Sequence, residues 1–331
     1  MIFYFLLINF LLIYFLYKYR NIIANKLQLI AYPSKDTFHK NNSYLYGGIL
    51  LFPSLILTGT YLQITKIENL YINFFLIFSF LILTIIDDIH NLKPIIKIFF
   101  CSIFSGIAIF YDTTLTISTL NSYYFQLFIF TDNWLIIYIF PILCILLLVN
   151  AFNFTDGLNC LAGSIGLSFL VYVCVKNYEV INSLYLLITS LIVFLYLNYK
   201  KSIFLGDSGN YLISTMTALI ILKENFYNPE NYYIEEIFLL LLIPGIDMFR
   251  LFITRIIKKQ NPFKRDNDHL HYLLYYKFGY HKTILLYLLL VNIPIYIFYF
   301  FNNITIFVIF FTLLIYIYLI YISYLDKNKE A

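Results

Sequence analysis

The chain has 331 residues, of which 61% are hydrophobic and only 12% charged, and its mean hydropathy is +0.80. Soluble domains average about 45–50% apolar and about 25% charged, so this composition excludes a soluble enzyme and a disordered chain alike. The net charge of +4 says little as a total, because in a membrane protein the side on which charges lie is what informs.

At about 20 residues per crossing, the length accommodates on the order of ten or eleven helices and leaves almost nothing for a separate soluble domain. Residues 1–331 are therefore expected to form one polytopic all-α unit. Residues 2–16 are continuously apolar and are followed by Lys18 and Arg20. A cleaved signal peptide has the opposite charge order, so this run reads as a first helix with its N-terminus outside. Further apolar runs lie at about 44–64, 69–86, 95–111, 134–149, 161–176, 183–198, 209–222, 237–256, 283–301 and 304–325. They predict eleven transmembrane helices with the C-terminus inside. Under this assignment eighteen of the 22 basic residues face inward, Lys66, Lys176 and Lys223 face outward, and Arg250 lies within a helix. That asymmetry is what the positive-inside rule requires. The segment Thr113–Ser118 alternates as a strand does and predicts a small outer hairpin. Cys101, Cys144, Cys160 and Cys174 sit in or beside apolar runs, without metal-ligand spacing, and read as buried free thiols.

Carboxylates near the membrane are expensive to keep there and are functional candidates by default. Asp87 and Asp88 end the third run, where an acidic pair opposes the helix dipole. Paired carboxylates suit Mg²⁺, which takes one or two of them and completes its shell with water and phosphate oxygens. Asp207, in FLGDSGN, suits either a metal ligand or the cap of the helix that follows. In NAFNFTDGLN, Asn150, Asn153 and Asp156 recur every three residues and could share a face, either for base and sugar recognition or for interhelical contacts. The long inner loop from Arg255 ends in DNDHLH. His269 and His271 are two apart and would not face each other on a helix, so they suit phosphate donation better than a shared metal. Together these groups point to a metal-assisted reaction on phosphates at the inner membrane surface, with one soluble anionic reactant and one lipid-embedded. A transporter built on intramembrane carboxylates would instead place them near the midplane with inverted repeats; only Asp247 lies within a run, and no repeat is visible.

Those segments, in that order, resemble the polyprenyl-phosphate N-acetylhexosamine-1-phosphate transferases. The stretches are YPSKDTFHK…YGG (Tyr32–Gly48), DDIHNLKPIIK (Asp87–Lys97), NAFNFTDGLNCLAG (Asn150–Gly163), FLGDSG (Phe204–Gly209) and PGIDMFRLFITRIIKKQNPFKRDNDHLH (Pro244–His271). The resemblance covers residues 32–272, and the helix count looks like the O-antigen and teichoic-acid branch rather than the related lipid I synthases. It implies a multi-pass protein of the bacterial inner membrane whose active site faces the cytoplasm. The expected substrates are a UDP-N-acetylhexosamine and undecaprenyl phosphate, with UMP released and Mg²⁺ or Mn²⁺ as cofactor. The lipid bilayer is its setting; no nucleic acid is involved, and the resemblance allows a homodimer.

The resemblance also implies roles by position. Asp207 and Asp88 would serve the metal, and Asp87 would deprotonate or orient the lipid phosphate. Lys97, Asn150, Asn153, Asp156 and Asn159 would bind or position substrate, with Phe204 stacking on uracil. His269 and His271 would contact the diphosphate or sugar, helped by Arg255 and Arg265. Three positions depart from the family pattern: Asn159 replaces an aspartate, Tyr272 replaces a third histidine, and Asn267 stands where an arginine is usual.

Overall fold

The structure is a computed structural model and describes residues 2–32, 42–64, 71–117, 119–124, 133–177, 181–228, 232–263 and 266–330. Arg265 and residues 33–41 of the first matching stretch lie outside these. Thirteen helices carry the described chain: α1 (Ile2–Lys18), α2 (Arg20–Leu27), α3 (Gly47–Ile64), α4 (Tyr71–His90), α5 (Pro94–Tyr111), α6 (Trp134–Asn153), α7 (Leu161–Lys176), α8 (Ile181–Tyr199), α9 (Gly206–Tyr227), α10 (Ile234–Ile257), α11 (Leu270–Phe278), α12 (Tyr280–Phe300) and α13 (Thr305–Glu330).

A helix stands at each of the eleven apolar runs, while α2 and α11 are short additions. Six helices are long and apolar enough to cross a membrane, seven if α1 and α2, which meet at a 65° bend, count as one broken span. This makes the chain a multi-pass α-helical membrane protein. The outermost helices fit this: on α13, Phe307, Phe310, Phe311 and Ile317 are each more than half exposed, an apolar face suited to lipid.

At the centre stands α9, packed against α3, α4, α6 and α7. Its Ser208, Asn210, Ser214, Thr215 and Thr217 are buried. A helix shielded from lipid by neighbours need not be apolar, and hydroxyls can return their hydrogen bonds to the preceding turn. Ser214 and Thr217 do this, donating to the carbonyls of Asn210 (2.7 Å) and Ile213 (3.0 Å).

A three-stranded sheet absent from the sequence expectations lies beside the start of α9. Strand β1 (Ile30–Ala31) pairs antiparallel with β2 (Ser43–Leu45), and β2 pairs parallel with β3 (Ile203–Phe204). The expected outer hairpin is instead a short 3-10 turn at Thr113–Leu115, because the Asp112 carboxylate accepts from the Thr114 amide (3.0 Å) and curls the chain.

Candidate active site

The segment after α4 is a compact local turn. Asn91 adopts the left-handed conformation (φ 50°), which asparagine tolerates at helix ends, and Pro94 opens α5 at a position where its missing amide costs nothing. The turn brings the first part of α5 back to the end of α4. There the Asp87 carboxylate accepts from the Leu92 amide (2.7 Å) and the Lys97 ammonium (2.7 Å). Lys97 also donates to Asp207 at 2.7 Å, so one cation bridges two carboxylates 120 residues apart in sequence. The acidic pair that opposes the α4 dipole is thus offset by a partner from the next helix.

Asp88 faces the other way. Its two oxygens accept from the backbone amides of Asp207 (3.2 Å) and Ser208 (3.4 Å) at the start of α9. The cap of α9 is therefore Asp88, reaching across from α4, and Asp207 lies within the first turn. Gly206 has φ 69°, and a side chain there would sit 3.1 Å from the Asp88 carboxylate. Gly47 and Gly48 close the same corner: a Cβ on either would lie under 3 Å from Leu205 or Ser208 backbone. Glycine here lets three backbones meet, which sets where Asp207 stands.

The 154–160 loop joins this cluster to the histidines. Asn210 on α9 donates to Asp156 at 2.7 Å. Asp156 is reachable by solvent yet surrounded by protein, whose bulk, with the Asp207 charge, pushes its carboxyl above the usual range, within limits set by that access. Phe154 stacks on His269 (centroids 5.3 Å), and Gly157 leaves so little room that a Cβ would lie 1.9 Å from His271 Nε2. His271 is 1% exposed, both its ring nitrogens lack a partner among the described residues, and burial pushes its pKa down from 6.5 to about 3.

His269 and His271 were expected not to face each other. Their rings stack at 5.4 Å and 14°. The reason is local: His269 is extended (φ −63°, ψ 148°) and precedes α11, while His271 lies within it, so helical spacing does not apply. Tyr272, in place of a third histidine, packs on His271 at 4.2 Å.

The other expected residues divide. Asn150 donates to the Leu146 carbonyl in its own helix (2.7 Å), and Asn153 ends α6. The Asn159 carbonyl accepts from the Tyr280 hydroxyl (2.9 Å). Phe204 is placed in β3 beside the α9 corner. Arg255 is buried and donates to Asp266 (2.9 Å) and the Pro262 carbonyl (2.8 Å), shaping its own loop. Asn210 and Ser208 were not singled out by the sequence reading, and Asp247 was noted only as a carboxylate inside an apolar run, without a role in the site.

Asp87, Asp88 and Asp207 offer hard oxygen donors suited to a small divalent cation, and the single Lys97 ammonium, shared by Asp87 and Asp207, offsets only one of their charges. Among the described residues no three acidic, histidine or cysteine side chains form a closed metal cage. A cation that keeps water and phosphate oxygens needs only one or two carboxylates, and Asp207 and Asp88 are the candidates to hold one.

Comparison with known proteins adds to this geometry. Residues 70–225 match the family described as "Glycosyl transferase family 4". The chain is 26% identical over 276 residues, 82% of each chain, to the undecaprenyl-phosphate alpha-N-acetylglucosaminyl 1-phosphate transferase of Thermotoga maritima. It is 28% identical over 262 residues, 76% of this chain and 71% of the relative, to a Bacillus subtilis protein named "Probable undecaprenyl-phosphate N-acetylglucosaminyl 1-phosphate transferase". A decaprenyl-phosphate N-acetylglucosaminephosphotransferase of Mycobacterium leprae is 28% identical over 172 residues, 44% of this chain and 43% of the relative.

Proposed function

We propose that this chain, which belongs to the polyprenyl-phosphate N-acetylhexosamine-1-phosphate transferase family, moves N-acetylglucosamine 1-phosphate, or a close relative, from a UDP-sugar to undecaprenyl phosphate. UMP is released, and the product is a lipid diphosphate sugar. The reading is carried by the convergence of four separated motifs, around Asp87, Asp156, Asp207 and His269, on one corner of the bundle. The polymer-initiating reading is favoured over a lipid I synthase because the relatives above are named for N-acetylglucosamine 1-phosphate transfer.

The protein spans the bacterial inner membrane eleven times, with the N-terminus outside and the site on the cytoplasmic face, where UDP-sugars are available. The lysine asymmetry supports this sidedness. Asp87, held by the Leu92 amide and Lys97, orients the lipid phosphate as nucleophile. Lys97 bridges Asp87 and Asp207, holding the two carboxylates side by side. Asp156 and Asn159 face the nucleotide, with Asn159 offering an oxygen acceptor without charge, and Phe204 stacks on the base. His269 and His271 hold the sugar diphosphate. Asp207 and Asp88 would hold Mg²⁺ or Mn²⁺, which would supply positive charge to the transferring phosphoryl group and the departing nucleotide.

The test is UMP release by purified protein with undecaprenyl phosphate, Mg²⁺ and a panel of UDP-GlcNAc, UDP-GalNAc and their 6-deoxy derivatives. One sugar is expected to support turnover. Absence of UMP with every donor, in protein that remains monodisperse, would overturn the assignment.

A further inference from the structure

Asp247 lies in the C-terminal half of α10 and is 3% exposed. A carboxylate at such a place must be met by donors, and it is met by five. His269 Nδ1 lies 3.0 Å from Oδ2, and the Leu270 amide donates at 3.2 Å. Arg250 donates through Nη2 (2.8 Å) and Nε (3.3 Å), and the Tyr316 hydroxyl donates at 2.9 Å. Tyr316 belongs to α13, beyond the stretch that carries the family resemblance, and its oxygen also accepts from Arg250 Nε at 2.9 Å. Arg250 Nη2 donates in turn to the Asp268 carbonyl at 2.6 Å, holding the backbone just before the histidine.

An ionised carboxylate, as Asp247 is beside the Arg250 guanidinium, only accepts, so the histidine nitrogen that faces it donates. A neutral imidazole carries one N–H; placed on Nδ1, it leaves Nε2 with a free lone pair. The ring cannot flip without breaking that bond, and it is packed against Phe154 and His271.

We propose that Asp247, Arg250 and Tyr316 form a positioning assembly that fixes the orientation and tautomer of His269, so that the C-terminal helix α13 is part of the active-site apparatus. This rests on the reading of His269 as a group that touches substrate. Asp247 and Tyr316 act through the histidine and do not reach the reacting atoms themselves.

A double-mutant cycle on UMP release tests it, using Asp247→Asn, His269→Gln and the pair in the full-length protein in lipid. Loss of an orienting partner of this kind costs about 10–100-fold, and Asp247→Asn should lower kcat by that range with KM for both substrates within about twofold. The pair should be no slower than His269→Gln alone, because groups acting as one unit are non-additive. Multiplicative losses would show that Asp247 acts independently of His269 and would overturn the proposal. A His269→Gln enzyme with full activity would instead remove the histidine from the proposed site, and the positioning role with it. Should Asp247→Asn fail to accumulate, Tyr316→Phe takes its place in the same cycle. It removes a single hydroxyl and should lower kcat several-fold only when His269 is present; an unchanged kcat there overturns the role of α13.

Discussion

Replacing Lys97 with methionine keeps the bulk and length of the side chain and deletes one charge. In the native arrangement a carboxylate oxygen of Asp87 and one of Asp207 each lie 2.7 Å from Nζ, and Asp87 is 4% exposed. Those two oxygens can be no further apart than about 5.4 Å, and at an effective dielectric of about 20 their charges repel by about 3 kcal/mol once the ammonium is gone. That corresponds to roughly a hundredfold in any equilibrium that needs both groups ionised and in place. Lys97→Met should therefore lower UMP release about a hundredfold. It should also make the thermal unfolding of the detergent-solubilised protein more responsive to Mg²⁺ than in the wild type, since a divalent cation can replace the missing charge. Lys97→Arg should recover part of the turnover by restoring charge in a wider geometry. Turnover within threefold of wild type in Lys97→Met, with unchanged Mg²⁺ response, would refute the view that one ammonium holds the two carboxylates together.

Asp207→Asn should abolish UMP release while leaving membrane insertion and monodispersity intact, because it removes a charge and little packing; size-exclusion profiles beside the activity assay check both halves. Gly157→Ala should lower turnover at least tenfold, since its Cβ would meet His271 Nε2 at 1.9 Å and displace the start of α11; Gly245→Ala, with nothing within 4 Å, is the matched control expected to be silent. The His271 pKa is about 3 in the fold against 6.5 ordinarily, so its contribution to stability is complete above about pH 6.5 and is lost as pH falls from 6.5 toward 3. Melting temperatures measured across that window should fall in the wild type, and the fall should be shallower in His271→Gln.

Much of the molecule was legible because it depends on local properties. Composition alone places the chain in a membrane, and each apolar run became a helix because backbone groups in lipid must satisfy themselves within the segment. The turn in HNLKP is likewise local, with Asn91 and Pro94 in the conformations those residues favour. Where the reading went astray, a side chain overrode the pattern: the Asp112 carboxylate turned an alternating segment into a 3-10 turn, and an extended His269 escaped the helical spacing assumed for it.

From sequence alone came the protein's class, the stretches that resemble its family, and the scarcity of charge in an otherwise apolar chain. Which charge serves which was decided only by tertiary structure. Asp207 is as plausible a cap as a ligand until the packing of α4 on α9 gives the capping role to Asp88 and the Asp207 carboxylate to Lys97. Asp247 is only an oddity in α10 until α11 and α13 bring His269 and Tyr316 to it. These partners are separated by 22 to 119 residues. What joins them is the summed packing of whole helices, which no local stretch of sequence contains.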